Sequence, residues 1–318
     1  MGAESFSHHR PFVLGLQPSA LVDTVATVDW SLLHQIPGER GGSIPVAIEE
    51  LEYILKELKS NSSILVYTSI PVLSFLLSKC DFVFMEGHTA QCVCLVDDMG
   101  NRTMRPCLSN AVKVQAQELT NADFKGSKWL VLRYAVLNLE VIQAAIHLAK
   151  QEGLLVSLDL ASFEMVRNFK VPLLNLLESG NIDLCFANED EAAELLRDEQ
   201  NADPIAAVEF LSKYCQWAVV TLGHNGCIAK HGKEMIRVPA IGEAKATDAT
   251  GAGDLFASGF LYGVVKGLSL EECCNIGSCS GGSVIRSLGG EVTSENWQWM
   301  YKQMQIKGLP TPVEDVCN

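Results

Sequence analysis

The stretch Asp248-Ala249-Thr250-Gly251-Ala252-Gly253-Asp254 joins small residues that open a turn to an acid placed where a helix begins. Leu255-Phe256-Ala257-Ser258-Gly259-Phe260 continues that helix without interruption. Gly251 and Gly253 admit backbone angles that a side chain would forbid and leave N–H groups facing outward. The helix adds the positive end of its dipole, so the turn suits a developing phosphate charge. An anion site does not ordinarily want a carboxylate inside it. Asp254 makes sense there if it removes a proton from a hydroxyl that attacks the phosphate.

Such a turn needs elements that hold it. From Lys128 onward strand and helix patterns alternate: strands over Trp129–Leu132, Leu154–Leu160, Ile182–Ala187 and Trp217–Thr221, helices over Leu139–Gln151, Val171–Ser179, Glu189–Arg197 and Ile205–Tyr214. That rhythm predicts a parallel sheet with helices on both faces, and ligands in such sheets sit beyond the carboxyl ends of the strands. Upstream, Phe12–Gly15 reads as a buried strand and Ile48–Lys59 as an amphipathic helix whose acidic face is solvated. The apolar run Ile64–Leu77, broken by Pro71, reads as a core segment and not a membrane span. Thr89–Val96, Asp97–Asn101 and Arg102–Met104 read as a hairpin with a glycine-containing turn. Downstream, Ser269-Leu270-Glu271-Glu272 is a capping box for a helix that Gly289-Gly290 would end.

Composition narrows the class. The chain has 318 residues, 48% of them hydrophobic and 19% charged, the profile of a globular protein with a large core. Its net charge of −14 argues against a nucleic-acid partner, which is bound by excess Lys and Arg. Eleven cysteines in no regular framework predict reduced thiols and a cytoplasmic setting. No signal peptide is expected from MGAESFSHHRPF and no membrane association from the chain. Cys92 and Cys94 share one strand face with His88 four residues earlier, but a further ligand at useful spacing is missing, and strand packing accounts for them.

DATGAGDLFASGF closely resembles the C-terminal signature of the ribokinase-like (PfkB-type) sugar and nucleoside kinases, with Ala249 where that family usually has Thr or Ser. The resemblance implies a single three-layer α/β/α domain over 1–318, with a mostly parallel central sheet and a small β lid, the hairpin at about 88–106. It implies that Asp254 is the catalytic base and that the Gly251, Ala252 and Gly253 amides form an anion hole. Asn188 and Glu191 match an N-x-x-E motif that helps place Mg²⁺, although the same pair could simply cap a helix. Thr221, Gly223 and Gly226 match a segment bordering the nucleotide, and read alone they make a tight β-turn. Asp23 matches an acid that binds substrate hydroxyls, a solvated turn residue being the equal alternative. Expected ligands are ATP, Mg²⁺, a monovalent cation such as K⁺ and a small sugar or nucleoside. The lid hairpin of such proteins often pairs with a neighbour's, so a homodimer through the lid is expected.

The N-terminal part departs from this pattern. No glycine occurs between Ser43 and Met85, and the family's Gly-Gly-Asn segment has no counterpart, which makes about 60–87 atypical. A catalytically impaired nucleotide binder or a truncated isoform is the alternative this raises. Two further classes fit less well. A dinucleotide fingerprint would need Gly where Phe256 stands, and Asp254 would repel a pyrophosphate. Gly277-Ser278-Cys279-Ser280-Gly281 has the outline of a nucleophile elbow, but the capping box places Cys279 well inside a helix.

Overall fold

The computed structural model describes residues 13–16, 21–61, 64–67, 90–108, 114–243 and 245–311. Strand β1 (Val13–Leu16) belongs to a large sheet. The next four, β2 (Leu21–Thr27), β3 (Ile64–Tyr67), β4 (Ala90–Val96) and β5 (Arg102–Cys107), form a smaller one in the order β3-β2-β4-β5. The chain then returns to the large sheet with β6 (Trp129–Arg133), β7 (Leu155–Asp159), β8 (Leu184–Asn188), β9 (Trp217–Thr221), β10 (Cys227–His231) and β11 (Glu234–Val238). Its order is β1-β6-β7-β8-β9-β10-β11, parallel through β9 and antiparallel beyond.

Parallel strands joined by helices must be covered twice, and the residues alternate accordingly. In β6, Leu130 and Leu132 face one apolar layer while Trp129 and Val131 face the other. The first layer is built by α4 (Leu139–Gln151), α5 (Phe163–Asn168), α6 (Lys170–Glu178), α7 (Glu189–Leu195) and α8 (Pro204–Leu211); before them in the chain come α1 (Trp30–Leu33), α2 (Ile48–Asn61) and α3 (Asn121–Phe124). The opposite layer is built by α9 (Ala252–Val265) and α10 (Leu270–Val284), with α11 (Ser294–Ile306) packed outside through Met300 and Met304. The expected three layers are present.

The small sheet has its own core, in which Leu51, Ile54 and Leu58 of α2 pack on Val93 and Leu95 of β4. The expected hairpin is β4 and β5, antiparallel and joined at Asp97–Asn101. It is half of a four-stranded unit, because β2 pairs parallel to β4. Of the Ile64–Leu77 run, residues 64–67 form β3, and 68–77 lie outside the described residues, as does His88.

Two boundaries differ from expectation. The segment read as a helix from Val171 is preceded by α5, begun by Ser162, whose Oγ accepts from Glu164 N. Helix α10 stops at Val284, before Gly289-Gly290, because the chain leaves it to bond the Asp248 turn. Among the described residues, no helix is long and apolar enough to cross a membrane.

Candidate active site

Four parallel strands end on polar residues at one edge of the large sheet: Arg133, Asp159, Asn188 and Thr221 close β6, β7, β8 and β9. Register pairs Arg133 with Asp159 and Asn188 with Thr221, while Asp159 stands opposite Phe186, two residues short of Asn188. The Asp248–Asp254 turn comes to the same edge, because Asp254 forms an ion pair with Arg133.

That turn is held from two sides. Buried Asp248 accepts from Thr250 N at 2.8 Å and from Gly289 N at 2.9 Å, while Thr247 N donates to Ile285 O at 2.8 Å. From the lid, Gly100 at the hairpin tip accepts from Ala249 N at 2.9 Å. Gly251 caps α9 in the left-handed region, with φ +79°, and a Cβ there would stand 3.3 Å from the backbone of Gly290. Glycine is required at that position both by angle and by space. Gly253 is different: a Cβ there would meet nothing within 4 Å, so the space over the first turn of α9 is open. The N–H groups of Gly253 and Asp254 point from a helix start that offers them no internal acceptor, whereas Ala252 N donates to Ala249 O at 3.2 Å. Thr250 Oγ1 is buried without a hydrogen-bond partner among the described residues.

Charge concentrates beside the turn. Burial disfavours the Arg133 guanidinium, but Asp254 and Asp159 outweigh it and raise its pKa, so it stays charged. Asp159, whose Oδ1 accepts from Ala161 N at 2.7 Å, is raised chiefly by burial; Arg133 opposes that rise and the Asp254 charge adds to it. Buried Glu191 is pushed to about 8, first by burial and then by Asp159. Asn188 N donates to Glu191 Oε2 and Glu191 N to Asn188 Oδ1, each at 2.8 Å, so the capping alternative is realised in full. Capping leaves the carboxylate in the company of Asp159. Burial raises both acids and the Asp159 charge raises Glu191 further; their carboxylates and the Asn188 amide oxygen could supply the oxygen ligands that Mg²⁺ takes.

The other expected residues divide. Gly223 and Gly226 flank a short 3-10 turn with φ +54° and +88°, and Leu222 N donates to Gly226 O at 2.7 Å. A Cβ on Gly226 would collide with the backbone of Val238–Ala240, so its tight turn has a packing cause as well. Thr221 stands in the strand-end row, with Oγ1 3.5 Å from Ala187 O. Asp23 does not lie in a turn: it is buried inside β2, beside Cys92 of β4. Arg133 and Asp159 were missed. Their signal was available, since each is the charged residue closing an apolar strand, WLVLR and LVSLD, at the edge where ligands bind.

The elbow-like Gly277–Gly281 segment has a structural cause. A Cβ on Gly277 would stand 2.9 Å from Phe256 O and one on Gly281 3.0 Å from Ala252 O, so these glycines let α10 approach α9. Cys279 is buried between them, its thiol pushed up to about 11 by burial.

The model of the pfkB family carbohydrate kinases matches residues 79–297. A nucleoside kinase of Methanocaldococcus jannaschii is 29% identical over 136 residues, 43% of each chain. A ribokinase of Lactococcus lactis is 33% identical over 110 residues, 35% of this chain and 34% of that one. The matched stretches thus span less than half the length of either relative. Among solved structures, a probable sugar kinase from Rhizobium etli superposes with a TM-score of 0.82 at 24% identity, covering 95% of this chain and 99% of that one.

Proposed function

The chain belongs to the pfkB family carbohydrate kinases and has their ribokinase-like fold, and from that premise we propose that it moves the γ-phosphoryl group of ATP to an alcohol of a sugar or nucleoside. The observation that carries this reading is Asp254 at the third position of α9, beside an open, amide-lined turn and a row of polar strand ends.

In this reading Asp254 accepts the proton of the attacking hydroxyl as the new O–P bond forms and the bond from the γ-phosphorus to the bridging oxygen breaks, releasing ADP. Arg133 keeps the carboxylate oriented until then. Amides of the Gly251–Asp254 helix start, chiefly those of Gly253 and Asp254 because Ala252 N is tied to Ala249 O, steady the charge on the transferring group, helped by the dipole of α9. Thr221, Gly223 and Gly226 border the nucleotide. Asn188, Glu191 and Asp159 would hold Mg²⁺, which when bound neutralises phosphate charge. A homodimer through the lid belongs to the same proposal.

Asp254→Asn keeps the shape and removes the base. Turnover should fall on the order of 10²–10⁴-fold with ATP affinity nearly unchanged; wild-type turnover in that variant would end the assignment. A second reading has its own observation, the absence of any glycine between Ser43 and Met85. It takes the chain as a nucleotide binder without phosphotransfer. Calorimetry with ATP beside a panel of ribose, hexoses and adenosine-like nucleosides separates the two, since robust turnover on any acceptor removes the second.

A further inference from the structure

Outside the strand-end row, one cluster of metal-ligating side chains stands at the middle of the small sheet. Cys92 and Cys94 are two residues apart on β4, so their side chains share a face, and Asp23 of β2 is the direct neighbour of Cys92 in the parallel register. All three are buried, with both cysteines fully covered. The Sγ atoms of Cys92 and Cys94 are 3.9 Å apart, and the three ligand atoms lie within 4.8 Å of one another. Spacing along the chain does not bring Asp23 to the two cysteines. Strand pairing does.

We propose that Asp23, Cys92 and Cys94 form a site for a thiophilic divalent cation, Zn²⁺ by preference, separate from the oxygen donors at the strand ends. Two Zn–S bonds of about 2.3 Å in a tetrahedral arrangement hold their sulfurs about 3.8 Å apart, so the thiols already stand near ligand spacing. Two thiolates and one carboxylate select Zn²⁺ over Mg²⁺, which takes oxygen ligands only. The fourth position stays open to water or a small ligand, as in sites with three protein ligands. Met104, opposite Cys94 on β5, packs against the cluster with Leu288 and gives the site an apolar wall. Binding releases the thiol protons to solvent, so the charge balances without a redox step.

This inference does not rest on phosphotransfer, and its test needs no turnover. The full chain, reduced and stripped of metal, is titrated with Co²⁺ and then with Zn²⁺ against a chromophoric chelator. One equivalent should bind, with the visible bands of tetrahedral cobalt and a thiolate-to-metal charge-transfer band. Cys92→Ser together with Cys94→Ser should abolish that band and weaken Zn²⁺ by more than the about 10–100-fold that loss of an outer-shell partner costs. Asp23→Asn should weaken Zn²⁺ while keeping the band. Circular dichroism checks that each variant folds. If the buried substitutions unfold the sheet, alkylation of the wild-type chain in urea below its unfolding midpoint, where local opening exposes buried thiols, decides instead by mass spectrometry: Zn²⁺ should slow labelling of Cys92 and Cys94 and leave that of Cys273 and Cys274 unchanged. A wild-type spectrum without a thiolate band, a band that survives in the folded double variant, or protection mapping to other cysteines would overturn the site.

Discussion

Glu191 shows how one residue can satisfy a local rule and a distant one together. Its main-chain and side-chain bonds with Asn188 cap α7, while burial and Asp159 push its carboxyl to about 8, far above the ordinary carboxylate range. A folded-state pKa raised in this way means the folded chain keeps a proton that the unfolded chain has lost. Stability measured in chelator should therefore fall as pH rises from about 5 toward 8, by up to about 1.4 kcal/mol per pH unit. Urea midpoints across that window check this, and Glu191→Gln should flatten the slope. Gly253 makes the complementary case. Nothing stands where its Cβ would be, so Gly253→Ala should leave melting unchanged or raise it slightly, by about 0.5–1 kcal/mol. In the proposed reaction the added methyl would crowd the transferring group, so turnover should fall while the melting curve does not.

The critical pair of elements is α9 and α10. Their axes approach because glycine faces glycine-sized space: a Cβ on Gly259 would stand 2.9 Å from Ile276 O, and one on Gly263 2.9 Å from Cys273 Cα. Both obstacles are backbone atoms, which cannot rotate away. Helix propensity alone would favour alanine by about 1 kcal/mol at each site, but overpacking costs about 1–3 kcal/mol. Gly259→Ala and Gly263→Ala should accordingly lower the melting temperature, and a rise in both would refute the close-packing account. The same approach carries the chain from α10 back to Asp248, so packing of these helices and geometry of the phosphoryl turn are one feature.

At the scale of the whole molecule, the two sheets are locked together by a buried cation. Arg105 of β5 is fully covered and donates to the carbonyls of Pro37, Glu39, Gly42 and Met104. The loop it gathers is tied to the large sheet's layer, because Glu39 N donates to Glu164 Oε1 at 2.7 Å and Ser43 N to Ser162 Oγ at 3.2 Å. Ser43 Oγ also meets the Tyr134 hydroxyl at 3.0 Å. Arg105→Met would leave four carbonyls without their shared donor and Glu164 without its ion-pair partner 3.9 Å away. It should cost about 3–5 kcal/mol, and limited proteolysis should then cut first within 37–43. Equal protection of that loop in variant and wild type would show that the clamp is not what joins the sheets.

What the sequence determined by itself was everything whose partners lie within a few residues. The Gly251 turn, the Asn188–Glu191 and Ser269–Glu272 caps and the alternating strands and helices after Lys128 are of this kind, because backbone angles and capping bonds are set locally. The family signature was legible for the same reason, being one short turn and its helix. Tertiary structure alone decided which charges meet. Arg133 and Asp254 are 121 residues apart, and Asp23 reaches Cys92 only because β2 and β4 pair in one register of several that their apolar pattern would allow. Pattern fixes which face of a strand is buried, whereas register, set by the packing of the whole sheet, fixes which side chain stands opposite another.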